Sequence, residues 1–305
     1  MNFVVRMNGD KYKSIGISGS IASKLSRSVV ESGKYNKAYD ILPFLINDGI
    51  NEKGVFAGVN VVPYGDNKPT TGTNPESEPI CALMLVRMIL DNCSNVNEAK
   101  ALIDSTNVYC SGEHEYHLII GDAKEQYFVE FIDNKALYLK VKPGNQVMTN
   151  FYLNGCNLED IYNTTTKHGS GVERYNYLVQ NLDSVNDMDG MINLLYNIRY
   201  TNMYLDDRML SEFVGRYPRP FGDVTLKDIV NNPNRVLNVF AYAQKLYKTR
   251  SRSSAKTWTT RHSVVYDVQN LNLIVRVEED IDNIYEFKLW KEEMKWRNLE
   301  VKIGG

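Results

Sequence analysis

Asp48-Gly49-Ile50-Asn51-Glu52-Lys53-Gly54, continued by Val55-Phe56-Ala57-Gly58-Val59-Asn60-Val61-Val62-Pro63, carries the strongest structural signal in the chain. Two apolar stretches, residues 42–46 and 55–62, flank a polar turn in which Gly49 and Gly54 supply backbone freedom. This pattern predicts a β-hairpin. Its second strand holds Asn60, an amide within an otherwise apolar run. Burying an unpaired amide is costly, so Asn60 requires a partner, either protein or ligand.

Working outward, residues 2–7 and 12–18 read as two strands joined by the turn Asn8-Gly9-Asp10. A Gly/Pro/Thr/Asn-rich loop follows Pro63, and residues 80–90 are apolar nearly all round, which predicts a buried helix. Asn95 stands as a cap before a second short helix ending near Ile103. The period then changes to strands at 116–120, 127–132, 136–141 and 147–150, an antiparallel meander. Ser170-Gly171-Val172-Glu173 fits a capping box, and further helices are expected at 188–198 and 235–247. Strands return at 258–267, 271–278 and 284–289, before a charged tail over 291–305. Strand pairs, helices and strand pairs in that order imply an α+β chain whose antiparallel sheets are covered by helices.

At 305 residues, with 43% hydrophobic and 24% charged content, the chain is long enough for a sizeable core and is read as a single domain over 1–305. Its 35 basic and 37 acidic side chains are interleaved, giving a formal net charge of -2. That balance points to no nucleic acid and no membrane surface as partner. Arg6 interrupts the apolar start, so no signal peptide is read and a cytoplasmic location is the default. Cys81, Cys93, Cys110 and Cys156 are irregularly spaced and read as reduced, mostly buried thiols. His114 and His117, three apart on a strand, face opposite sides and form no metal pair, and His168 and His262 lack ligand spacing. Neither a metal nor a cofactor is expected.

The run from Asp48 to Gly54 resembles the D-G-x-N-E-K-G signature of the choloylglycine hydrolases, which include bile salt hydrolases and penicillin V acylases. Further matches follow in order. Thr71-Gly72-Thr73-Asn74-Pro75 is one, and Val96-Asn97-Glu98-Ala99 is another. His117-Leu118-Ile119-Ile120-Gly121-Asp122 with Phe128-Val129-Glu130 resembles a hairpin of the family, and Val147-Met148-Thr149-Asn150 resembles a strand end. Ser263-Val264-Val265-Tyr266-Asp267 with residues 271–275 resembles the closing hairpin. The resemblance implies a four-layer αββα N-terminal-nucleophile hydrolase sandwich. It also implies hydrolysis of a linear amide C-N bond in a small-molecule N-acyl substrate, and it leaves a homo-oligomer open.

Three residues carry the implied site. Asn60 matches the family asparagine that donates a side-chain N–H to the oxyanion hole, with the backbone N–H of Val61 or a neighbour as a second donor. Asn150 reads either as a turn asparagine or, by the Thr-Asn match, as a polar residue lining the site. Arg174 falls in the first turn of its helix, where a cation opposes the helix dipole by roughly 0.3 to 1 kcal/mol. That placement suits a paired or functional arginine, and Arg174-Tyr175 resembles the family's active-site arginine.

The family's enzymes attack with an N-terminal cysteine whose own α-amine relays protons. This sequence opens Met1-Asn2-Phe3-Val4 and resembles the strands after that segment, so an N-terminally truncated fold with an unpaired sheet edge and no catalytic cysteine is expected. Three readings follow: a hydrolase whose start lies upstream, a non-catalytic member that retains the pocket for binding, and an unrelated α+β interaction protein.

Overall fold

The computed structural model describes residues 2–19, 40–63, 74, 76–109, 114–132, 134–142, 146–154, 169–170, 172–199, 260, 262–277, 280–290 and 299–300. The helix expected at 235–247, Cys110, Cys156 and His168 lie outside the described residues.

The opening hairpin follows its alternation. β1 (Asn2–Asn8) and β2 (Lys13–Gly19) pair antiparallel from Asn2↔Gly19 to Asn8↔Lys13. Val5 and Met7 of β1 enter one core, while Val4 and the β2 residues Ile15 and Ile17 enter another on the opposite face. The sheet is therefore apolar on both faces, and each face requires a cover.

The signature run also forms a hairpin, but with a shorter turn than expected. β3 spans Ile46–Asn51 and β4 spans Phe56–Pro63, so Asp48, Gly49 and Ile50 are strand residues and only 52–55 turn. Residues Leu42–Phe44, expected as strand, form a single 3-10 turn with Pro43 at its start. The two glycines have different purposes. Gly54 has φ +76°, a conformation that favours glycine in a turn. Gly49 allows close approach: a Cβ there would lie 2.7 Å from Leu90 Cδ1 and 2.8 Å from the Ile15 carbonyl oxygen. Asn51, wholly buried, closes the turn. Its Oδ1 accepts from the Lys53 and Val55 N–H groups, both at 3.0 Å, and its Nδ2 donates to the Leu90 and Cys93 carbonyls at 3.0 and 2.8 Å. Those two carbonyls end a helix and would otherwise lack partners.

That helix is α1 (Ala82–Asn92), preceded by β5 (Pro79–Cys81), which takes Ile80 and Cys81 out of the expected helix. α2 (Val96–Ser105) starts at Asn95 as expected, with the cap Oδ1 accepting from Glu98 N–H at 3.0 Å. β6 (Asn107–Tyr109) pairs parallel with β5. The meander then appears as β7 (His114–Gly121), β8 (Gln126–Ile132) and β9 (Lys135–Lys140), each antiparallel to the last. β10 is only Asn150–Phe151, pairing with β11 (Gly169–Ser170), which sets Ser170 opposite Asn150. α3 (Val172–Asn181) and α4 (Met188–Asn197) follow. β12 (His262–Asp267), β13 (Asn272–Val277) and β14 (Asp280–Lys288) form a second antiparallel sheet.

The large sheet runs β15-β1-β2-β3-β4-β7-β8-β9, where β15 is Leu299–Glu300 from the tail. The β1 edge, expected bare, is thus covered at Val4 and Val5. On one face α1 and α2 bury Leu85, Val86, Ile89, Ala99 and Ile103 against Val5, Ala57, Leu118 and Val129. On the other, Ile15, Ile17 and Ile50 meet Leu273, Val275 and Phe287 of the second sheet. α4 lies on the far side of that sheet, where Arg276 Nη1 donates to Asn193 Oδ1 at 3.0 Å. The order helix, sheet, sheet, helix is the αββα sandwich expected.

Candidate functional site

Side-chain alternation determines what faces the space between the sheets. On β4, Ala57 and Val59 pack toward α1 and α2, so Gly58 and Asn60 point the other way. On β7, Leu118 and Ile120 join the helix-side core, which turns His117 toward the second sheet. On β8, Val129 and Phe131 do the same for Glu130. The register places Asn60 opposite His117 and His117 opposite Glu130. One polar row, Asn60, His117, Glu130, therefore crosses three adjacent strands on the inter-sheet face.

The segment 149–154 lies against this row. His117 Nε2 is 2.6 Å from the Thr149 carbonyl oxygen. Glu130 accepts from the backbone N–H of Leu153 at 2.5 Å and of Asn154 at 2.9 Å. Asn150 Nδ2 donates to the Val61 carbonyl at 2.6 Å. Arg174 Nη2 donates to Asn150 Oδ1 at 2.7 Å. Arg174 is buried in the first turn of α3, and its neighbour Tyr175 stacks edge-on with Phe151, ring centroids 5.3 Å apart. The apolar contact between β10 and α3 thus holds the arginine over Asn150, in a place its helix dipole alone disfavours.

Asn60, Asn150 and Arg174 are brought together. Arg174 bonds Asn150, Asn150 bonds Val61, and Val61 is the chain neighbour of Asn60. The Asn60 side chain is half-buried and makes no hydrogen bond among the described residues. The sequence pattern excluded His117 from a metal pair and pointed to no role for Glu130. The apolar residues flanking each already fixed the face it occupies, but the β4–β7 register that aligns them with Asn60 is long-range.

A second polar pair bridges the sheets. The Tyr266 hydroxyl on β12 donates to Asp48 Oδ1 on β3. Burial pushes the Asp48 carboxyl from an ordinary 3.8 up to about 6, and the Tyr266 hydrogen bond partly opposes that rise. Of the described thiols, Cys93 belongs to the helix-side core, where burial raises it to about 11, and Cys81 ends β5 immediately before α1. Neither stands in the polar row.

The model of the acyl-coenzyme A:6-aminopenicillanic acid acyl-transferase family matches residues 39–208, more than half of the chain. The chain belongs to this family. That bears out the resemblance to the choloylglycine hydrolase family. Two variant structures of the conjugated bile acid hydrolase from Clostridium perfringens are similar to the chain. One has a TM-score of 0.56 at 12% identity and the other 0.53 at 11%, each covering 98% of this chain and 88% of that one. Penicillin V acylase from Agrobacterium tumefaciens gives 0.48 at 15% identity, covering 96% of this chain and 80% of its own. At such identities the likeness to the bile acid hydrolase establishes the fold, that of the N-terminal-nucleophile hydrolases. No curated protein matches the sequence. Among the described residues no helix is long and apolar enough to cross a membrane.

Proposed function

We propose that this member of the acyl-transferase family hydrolyses a linear amide C-N bond of a small N-acyl substrate held between the sheets. The observation that carries the reading is the Asn60 amide, without a hydrogen bond among the described residues, beside the Val61–Asn150–Arg174 chain of hydrogen bonds. In an extended strand the N–H and C=O of one residue point to the same edge. The Val61 N–H therefore points to the edge where its carbonyl meets Asn150. Asn60 Nδ2 and that N–H are two preorganised donors for charge developing on the scissile carbonyl oxygen. Asn150 and Arg174 form the polar wall beside them. Neither described thiol stands in the row, so neither is the attacking thiolate of such a reaction.

The experiment uses the purified, mass-verified chain with penicillin V and, separately, a conjugated bile acid. Released amine is quantified and binding is measured by calorimetry. Turnover of either compound supports hydrolysis, whereas binding without turnover favours a member that uses the same wall only to hold an amide. Absence of binding to both, with folding verified, overturns the assignment of these residues to an N-acyl amide site.

A further inference from the structure

We infer that Glu130 and His117 are positioning residues for the amide site, clamping the segment 149–154 so that Asn150 is held at a fixed orientation beside Val61. The inference rests on the functional reading above and extends it to two residues that reading does not use.

Both side chains are fully buried. A buried carboxylate is several kcal/mol unfavourable unless its oxygens are hydrogen-bonded. Among the described residues Glu130 meets this requirement with two backbone donors: Oε1 takes the Leu153 N–H and Oε2 the Asn154 N–H. One carboxylate thereby fixes two successive peptide groups. His117 fixes the other end. The Thr149 carbonyl can only accept, so Nε2 carries the hydrogen and donates at 2.6 Å. Nδ1 then faces Glu130 Oε1 at 4.0 Å.

Asn150 lies between these two grips and is tied at a third point to Val61. The three anchors stand on β4, β7 and β8, neighbours in one sheet, so the segment cannot shift along any one strand without breaking a bond to another. Apolar packing already holds the segment down, through wholly buried Phe151 and through Tyr152 edge-on to His117 with centroids 6.2 Å apart. The polar contacts add direction, which apolar packing does not supply. Direction is what a side-chain amide needs when it must present one oxygen to Arg174 and one N–H to Val61. A displacement of about 1 Å in such a wall is enough to reduce rate about 100-fold.

The test replaces Glu130 by Gln, whose single amide oxygen accepts one N–H while its NH2 opposes the other. Selective 15N-asparagine labelling, with the Asn150 side-chain signal assigned from Asn150→Asp, reads the orientation directly. Wild-type protein is expected to show two well-separated, slowly exchanging Nδ2 protons. In Glu130→Gln they collapse toward the free-amide position, exchange of the Leu153 and Asn154 amides rises at least 10-fold, and penicillin V affinity falls about 10-fold. His117→Gln retains a donor for Thr149 and is expected to remain near wild type in all three, while His117→Leu behaves as Glu130→Gln. These histidine variants decide the matter if Glu130→Gln does not fold. Unchanged Asn150 signals in Glu130→Gln and His117→Leu overturn the inference, as does altered Asn150 with unaltered affinity. If wild-type protein binds no N-acyl amide, the functional reading falls by itself, and the Asn150 signals still report whether the clamp orients the residue.

Discussion

Replacing Asp48 by Asn is expected to stabilise the protein at neutral pH and to leave its stability nearly unchanged near pH 4. Asp48 lies on the inter-sheet face of β3, and its carboxyl is raised from 3.8 to about 6, chiefly by burial. The folded state therefore holds this proton more tightly than the unfolded chain does. Between the two values the native protein binds more protons, so unfolding free energy falls as pH rises from about 4 to about 6 and is flat above. The full difference corresponds to about 3 kcal/mol, and solvent reaching the half-buried carboxyl trims the expected effect to about 1–3 kcal/mol. The Asn side chain has the same shape and retains an acceptor for the Tyr266 hydroxyl, so the inter-sheet hydrogen bond survives. Urea denaturation of Asp48→Asn and wild-type chains at steps from pH 4 to pH 8 isolates this group, because every other titrating residue is common to both. The difference in stability should be near zero at pH 4, grow through pH 5 and 6, and level off above pH 7. Tyr266→Phe removes the one contact that lowers the carboxyl and should weaken the protein most above pH 6. A difference that does not vary with pH, or a variant less stable than wild type at pH 8, refutes the reasoning.

Three further outcomes follow from the same geometry. Asn60→Ala should lower turnover of an N-acyl amide by about 10²–10³, as loss of one oxyanion donor does, while urea stability stays within about 0.5 kcal/mol because no hydrogen bond among the described residues is lost. Asn51→Leu removes four hydrogen bonds at a wholly buried position and leaves two helix-end carbonyls without partners, so a loss of about 2–5 kcal/mol is expected in urea unfolding. Gly49→Ala places a methyl group 2.7 Å from Leu90 Cδ1 and 2.8 Å from the Ile15 carbonyl, and the thermal midpoint should fall in line with about 1–3 kcal/mol of overpacking.

Much of the architecture is local and was legible from period alone. β1 and β2, the meander, α2 with its Asn95 cap, and the closing strands all follow alternation or capping, which are decided within a few residues. The departures occur where a distant partner decides. Gly49 resembles a turn glycine, but the reason for it lies in α1 and β2, on elements that the sequence does not place beside it. Cys81 extends an apolar run that reads as helix, yet the parallel pairing of Pro79–Cys81 with Asn107–Tyr109 draws it into a strand. The strand expected at 147–150 is reduced to Asn150–Phe151, whose partner is the distant pair Gly169–Ser170. The same distinction divides the site. Residue type and family likeness singled out Asn60, Asn150 and Arg174, whereas His117 and Glu130 owe their place to a register between strands far apart in sequence.

The position of the site follows from an interruption in the sheet. β4 pairs with β7 along its whole length, from Phe56↔Gly121 to Pro63↔His114, but its pairing with β3 reaches only from Phe56 to Gly58. Beyond Gly58, no strand among the described residues continues that ladder on the β3 side of β4. Buried peptide groups require partners. At Val61 the partner is the Asn150 side chain, delivered by β10 and β11, both of which contact β4. The same stretch of β4 carries Asn60 on the inter-sheet face. The end of the β3–β4 ladder therefore matters twice to the proposed site. It leaves the Val61 carbonyl to the Asn150 side chain, and it sets Asn60, the preceding residue, beside that bond.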